Sequence, residues 1–545
     1  MFKDTSSGEI QQIEAQQLKV WLKPADKEPE GKKPLEKKPT PKPKKDGAKD
    51  DPSKNARPMR LEGTGEVRAT TPDMVIQHSD YLNVLFKDVP KLMKEPKPKA
   101  KAENVKIQPG SKQPIEIKDP PKEGPKIEAP LVKGPDGKPI EKKKEEPKPK
   151  IPFVVSARSI ENWVNRDSEG RTEIDHVRAA GDVEAHQAPD AKDKQGNDIA
   201  GQTVDIQNYP DGYRMVVVGD PSDKAKPKWG VVRSDKLTTF GFDITIDQRN
   251  DTSIVKGEGS MEILSTNTME GKKLDKPTTM YIYWKHRMDF LGAEKLIYYH
   301  GSVQAYQELS RLKCEWMQVL LDRPMYLDPE RREKAKLPKK PGAKDEDDNA
   351  KVDTVMCFHA PKDDDAPRPK QIQPVTAVEE TKENGVLIKF QSIQGPELVM
   401  VNTPFPNKKQ RHDVDVTASG IMPGMVRIWQ AGQKDADGPT PNAKDKEKEG
   451  AAKKTPPRKK GELGPDEEMK LTVVQFSEKM RAEDNRNRAK FWTNVRVVHL
   501  AADSPTIPVD LREGEIPKGA VYMEARDTLE VFNTIQKEKD ADGKE

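Results

Sequence analysis

An all-β chain, built from repeated antiparallel strands and interrupted by disordered spacers, is what the sequence predicts, on three observations. Short runs of β-branched and aromatic residues alternate with polar ones at period two, the pattern of half-buried strands. Examples are Val67-Arg68-Ala69, Met215-Val216-Val217-Val218, Phe242-Asp243-Ile244-Thr245-Ile246 and Val495-Arg496-Val497-Val498. A glycine-led motif recurs along the chain. Helical periodicity is scarce: the stretch from Leu471 to Arg488 comes nearest, and its front, LTVVQF, reads as strand.

The strand-like blocks are separated by segments of different composition. Of 545 residues, 34% are charged, 33% are apolar and 48 are proline, so much of the chain lies outside any core. Lys, Pro, Glu, Asp and Gly dominate Lys23 to Arg57, Glu95 to Lys150, Asp328 to Lys351 and Gly432 to Pro465. Such segments bury too little apolar area to offset their conformational entropy, and their prolines favour extended chain. The reading is therefore a β-roll end at 1–22, a disordered linker at 23–57, strands at 58–94, a linker at 95–150 and the main roll at 151–327. A linker at 328–351, a module at 352–431, a linker at 432–465 and a C-terminal module at 466–545 complete it. The run PTPKPKK also has the look of a ligand for SH3-like domains; solvated spacer is the simpler reading.

The recurring motif is Gly, any residue, Val, any residue, then a small or apolar residue, followed downstream by Leu or Met, any residue, and Val. It begins at Gly65-Glu66-Val67-Arg68-Ala69, with Leu82-Asn83-Val84 as its second half, and again at Gly301-Ser302-Val303-Gln304-Ala305, with Met317-Gln318-Val319. Further copies start at Gly181-Asp182-Val183-Glu184-Ala185, Gly259-Ser260-Met261 and Gly424-Met425-Val426-Arg427-Ile428, with a looser one at Asn494-Val495-Arg496-Val497. The glycine suits a tight turn or bulge, and the alternation sends one row of side chains inward and one to water. Stacked copies bury a continuous stripe that no single copy buries alone. Gly8-Glu9-Ile10 through Val20 fits the second half of the motif, so Met1 is expected to enter mid-module, with the true start upstream.

These residues resemble the OstA-like (LptA-like) superfamily of lipopolysaccharide transport and outer-membrane assembly proteins. The resemblance implies a twisted, open β-jellyroll, V-shaped in section, that holds acyl chains in its interior. It places Val67, Ala69, Val183, Ala185, Val303, Ala305, Val426 and Ile428 in the lipid groove, and Arg68, Glu184, Gln304 and Arg427 toward water. Lipopolysaccharide or a similar acylated glycolipid is the implied ligand. Other OstA-like rolls, joined by edge-strand addition, are the implied protein partners, in the periplasm or at the outer membrane. The Lys/Pro insertions depart from the family pattern and hint at a multi-module relative.

Chemistry-bearing constellations are thin. With 96 basic and 92 acidic residues, the net +4 gives no electrostatic reason to expect nucleic acid. No run is long and apolar enough to span a bilayer as a helix, and Met1 to Leu22 lacks the basic and apolar regions of an export leader. Cys314 and Cys357 leave one bridge open. The histidines, among them His78, His176, His186 and His499, lack metal-ligand spacing; Asp435-Ala436-Asp437-Gly438 and Asp540-Ala541-Asp542-Gly543 lack the glutamate that completes a calcium loop. Asp243 and Asp247 could pair for glycoside hydrolysis, yet charges on the wet face of a strand explain them better. The chain reads as non-enzymatic, with no cofactor or metal. Two rivals to lipid carriage stand: a structural or adhesive β-solenoid with a packed interior, and a polysaccharide binder with aromatics on an exposed face.

Overall fold

The computed structural model describes residues 2–4, 11–24, 56–71, 74–90, 152–167, 171–189, 196–328 (with breaks at 224, 235–236 and 270–272), 331–332, 335, 350–360, 373–404, 410–433, 467–483, 486–509, 511 and 519–532. The spacer expected at 95–150 lies outside these residues, as do nearly all of those at 23–57, 328–351 and 432–465.

The expected all-β class holds: the described residues form one 28-stranded sheet. The strands are β1 (Phe2–Asp4), β2 (Gln11–Glu14), β3 (Gln17–Pro24), β4 (Ala56–Thr70), β5 (Met74–Asp88), β6 (Phe153–Arg166), β7 (Thr172–Gln187), β8 (Asn197–Tyr209), β9 (Gly212–Val218) and β10 (Gly230–Ser234). Next come β11 (Leu237–Asp247), β12 (Thr252–Asn267), β13 (Lys273–Trp284), β14 (Arg287–Leu291), β15 (Leu296–Gln307), β16 (Ser310–Leu321), β17 (Val352–Phe358), β18 (Val375–Glu383) and β19 (Val386–Gly395). Last are β20 (Glu397–Pro404), β21 (Gln410–Thr417), β22 (Gly424–Gln433), β23 (Glu467–Phe476), β24 (Lys479–Glu483), β25 (Arg488–Trp492), β26 (Val495–Ala501), β27 (Val521–Ala525) and β28 (Thr528–Phe532).

The sheet is folded along a single line, because long strands change neighbours at their middles. Strand β8 pairs with β10 through Asp198–Ala200 and with β9 through Thr203–Tyr209. Strand β12 pairs with β14 through Thr252–Lys256 and with β13 from Gly259 onward. Each long strand thus gives one half to each of two walls. After β16 the halves are separate strands: one wall continues β17, β20, β21, β24, β25, β28 and the other β18, β19, β22, β23, β26, β27. Every pairing is antiparallel except β5 with β6, which run parallel over Met74–Asp88 and so join the first five strands to the rest.

At the fold line the motif's glycine earns its place. Gly65 and Glu66 have φ of 74° and 48°, Gly181 and Asp182 84° and 48°, Gly301 and Ser302 83° and 46°. A consecutive left-handed pair turns an extended strand through a corner, and glycine adopts this conformation without Cβ strain. The looser copy does the same without glycine, at Thr493 and Asn494 (φ 63° and 50°), between β25 and β26. Backbone bonds run from rung to rung along this spine, from Gly257 N–H to His286 O (2.7 Å), Lys285 N–H to Gly301 O (2.8 Å) and Ser477 N–H to Thr493 O (2.9 Å). The copies at Gly259 and Gly424 differ. Neither is left-handed; a Cβ on Gly259 would lie 2.4 Å from Trp284 Cζ2, and one on Gly424 2.1 Å from Phe476 Cζ, so there the glycine makes room for a ring.

The walls face each other across one continuous apolar core that runs from Ile13 in β2 to Val495 in β26. A smaller core lies on the outer face near the C-terminus, where Ala502 and Leu511 cover Trp429, Leu471, Val473 and Val498.

Candidate functional site

The interior between the walls is the site to which the motif points. All of its predicted inward residues are buried or half-buried. Val67 is 0% exposed, Ala69 6%, Ala185 8% and Val303 1%, with Val183, Ala305 and Val426 likewise buried and Ile428 half-buried against the core. Arg68 and Glu184 point to water and Gln304 is half-exposed on the outer face.

Arg427 departs from its expected place in water. It is half-buried, and its guanidinium donates to the carbonyls of Pro505 (3.3 Å) and Ile507 (2.9 Å). Burial lowers its pKa below the ordinary arginine range. The cause is the 502–511 strap: Trp429 Nε1 donates to Ala502 O (2.7 Å) and Arg496 to Leu511 O (2.9 Å), pinning the strap over the outer face of β22, β23 and β26. The AADSPTIPV stretch carries no period-two signal, so nothing in the sequence announced a segment lying on a wall.

The interior is filled chiefly by side chains outside the motif. Trp284, Met288 and Tyr299 are each 1% exposed, and the rings of Phe476 and Phe491 lie 5.7 Å apart, tilted by 57°, between the walls. Tyr299, on β15 of one wall, points its hydroxyl at Met261 Sδ on the other (3.6 Å), and its ring lies 5.5 Å from Trp284. The Trp284 indole N–H has no partner. Burial alone pushes the Tyr299 phenol well above the ordinary tyrosine range, so it stays neutral at physiological pH.

What holds the walls together differs on their two sides. At the spine the chain crosses between walls by bent strands or by short links such as His286, Pro396 and Ser477-Glu478. At the opposite margins each wall ends in hairpins, for example Asn384-Gly385 between β18 and β19 and Asp211 between β8 and β9. Among the described residues every strand pairing stays within one wall, and core side chains pack between the walls away from the spine. In section the two walls join at the spine as the arms of a V and pack on each other toward its mouth.

Other predicted groups are accounted for locally. Asp243 pairs with Lys256 (3.3 Å), and Asp247 with Arg249 (2.9 Å). His176 and His186 sit beside Asp205 (3.0 Å) and Asp198 (2.5 Å). The two Asp-x-Asp-Gly segments lie outside the described residues, among which no cluster of three metal-ligating groups occurs. Trp163 stacks on His176, and Trp316 packs with His300 outside the main core. Cys314 and Cys357 are both buried. Aromatics do occupy one exposed face: Tyr281 and Tyr283 (38% and 45% exposed) stand on β13, with Tyr306 directly across from Tyr281 on β15. Compared with protein-family models, curated proteins and solved structures, the chain gives no match.

Proposed function

We propose that the chain is a non-enzymatic carrier of an acylated glycolipid, lipopolysaccharide or a close analogue, whose acyl chains lie between the two walls. One observation carries the reading: the apolar interior is continuous along the roll, and among the described residues no strand pairing joins the two walls on the side opposite the spine. Acyl chains gain about 0.8 kcal/mol for each buried CH₂, so a parted mouth offers them a path with many equivalent positions. No nucleophile or metal is needed; handing the lipid along is passive, with energy supplied elsewhere. The setting that fits such a cargo is the periplasm or the outer membrane of a cell envelope.

A partner of the same architecture fits the C-terminal end. Strands β27 and β28 pair on one side only among the described residues, and expose Val521, Met523, Val531 and Phe532. Exposed sheet edges recruit further strands.

The second reading, a structural or adhesive roll that binds nothing, is favoured by the rings of Trp284 and Tyr299, which already fill the interior. Photocrosslinking to labelled lipopolysaccharide separates the two. With a probe placed in turn at Val303 (inward) and Gln304 (outward), the carrier crosslinks at Val303 alone. Equal signal at both, or none at either, leaves the packed scaffold.

A further inference from the structure

We infer that Cys314 and Cys357 form an intrachain disulfide that staples the base of the V. The inference is independent of what the interior carries.

These are the only two cysteines among 545 residues, and folding brings them together in one core. Cys314 closes the half of β16 that pairs with β15 and β18 in one wall. Beyond Glu315 the strand enters the other wall, where Cys357 of β17 is the cross-strand partner of Met317. Both side chains are buried in that core as free thiols, one from each wall, and Cys357 sits within hydrogen-bond reach of Cys314, where burial and this neighbour push the Cys314 thiol well above its ordinary range. The rung is also where the architecture changes. Strand β16 is the last to run unbroken through both walls; beyond it β17 and β18 are separate strands, one in each wall. A covalent tie at this corner replaces the continuity that a through-strand gives the rungs before it.

The chemistry is thiol–disulfide exchange with a disulfide-bearing oxidant, either glutathione disulfide or a dithiol–disulfide exchange protein. One cysteine, as thiolate, attacks the oxidant's S–S bond, forming a mixed disulfide and releasing one thiol. The second cysteine then displaces the remaining half as another thiol. Two electrons and two protons leave the chain, and the oxidant's disulfide becomes two thiols. Since both sulfurs are buried and the Cys314 thiol resists ionisation, exchange is slow in the folded roll and belongs to folding itself, before the walls close. The finished bond is shielded from reductant for the same reason.

The test uses the full chain, unfolded under reducing conditions and refolded in a mixture of reduced and oxidised glutathione. Samples are alkylated under denaturing conditions without reductant, digested and mapped by mass. The expected result is one peptide pair joined through Cys314 and Cys357, two hydrogens lighter than the free dithiol, with neither cysteine alkylated. In Cys314→Ser or Cys357→Ser the remaining cysteine is alkylated or carries glutathione. If refolding yield is poor, the same mapping is made on chain exported during synthesis into a compartment rich in disulfide-exchange proteins. Two alkylated cysteines in a chain that has regained its strand circular dichroism, or a bond joining separate chains, overturns the inference.

Discussion

Gly257 and Gly259 lie two residues apart on β12, and a side chain is disfavoured at each for opposite reasons. Gly257 has φ of 82° and nothing within 4 Å of where a Cβ would stand. Gly259 has no such φ, but its Cβ would meet Trp284 Cζ2 at 2.4 Å and the Phe240 carbonyl at 2.8 Å. Gly257→Ala therefore costs only the left-handed penalty, about 1–2 kcal/mol. Gly259→Ala costs about 1–3 kcal/mol, the range for overpacking against a ring that cannot move aside. The two are told apart by rescue rather than by size. Asparagine tolerates the left-handed region, so Gly257→Asn recovers stability relative to Gly257→Ala. Trp284→Phe removes the clashing atom and recovers part of the Gly259→Ala loss beyond its own effect, while leaving Gly257→Ala unrelieved. Urea midpoints followed by far-ultraviolet circular dichroism, with amide exchange at Val255 and Met261 as local reporters, measure both. Rescue of Gly257→Ala by Trp284→Phe, or Gly257→Asn as damaging as Gly257→Ala, would refute the division of labour between backbone and space.

Two further outcomes follow from side chains on the outer surface. Arg427→Ala removes the donors to Pro505 and Ile507, so the 502–511 strap loosens while the main core stays. Limited proteolysis should cut within 502–511 several-fold faster, and unchanged cutting there would mean that Trp429 and Arg496 hold the strap without Arg427. Asp182, at the spine, is bonded by Lys228 Nζ (2.7 Å) and Arg158 Nη2 (2.5 Å), and the bond from Lys228 is the larger cause that pulls its carboxyl down to about 2. A folded pKa below the unfolded one stabilises the fold above the ordinary aspartate range, and that contribution disappears as pH falls through about 2. A carboxyl titration by nuclear magnetic resonance should find the Asp182 midpoint near 2 and see it climb in Lys228→Met; an unmoved midpoint would remove Lys228 from the account.

Much of this architecture was legible because one short signal does two jobs. In Gly181-Asp182-Val183-Glu184-Ala185 the first two residues turn the corner and the next three alternate in, out, in, so the motif predicts both the bend and the lining. It misled where its letters served another end. Gly259 and Gly424 match the pattern but sit beside rings, and a pattern of residue types does not distinguish a glycine needed for φ from one needed for room. Arg427 matched the outward row, and it does point outward; what the alternation could not carry is that a distant segment lies on that face. The wall-to-wall neighbours, Tyr299 with Met261 and Cys314 with Cys357, depend on register across separate strands, which no local period encodes. The parallel joint between β5 and β6 was hidden for the same reason, its two strands ending at Asp88 and beginning at Phe153, far apart in the chain.

A packed interior and a carrier are less opposed than they look, because the cost of opening is mostly an exchange. Parting the mouth at one rung exposes inward side chains such as Val303, Ala305 and Tyr299, at about 25 cal/mol for each Å² of apolar surface. An acyl chain that slides in covers that surface and buries its own, at about 0.8 kcal/mol per CH₂. The net cost is then the packing lost by imperfect fit, together with the strain of turning one wall about the spine. That strain falls on the spine, where the ladder register shifts but backbone bonds such as Gln16 N–H to Gly65 O (3.0 Å) and Lys285 N–H to Gly301 O (2.8 Å) still run from rung to rung. A bridge between Cys314 and Cys357 would not prevent the turn, since it ties the walls at their base, where a hinge pin belongs, and leaves the mouth free.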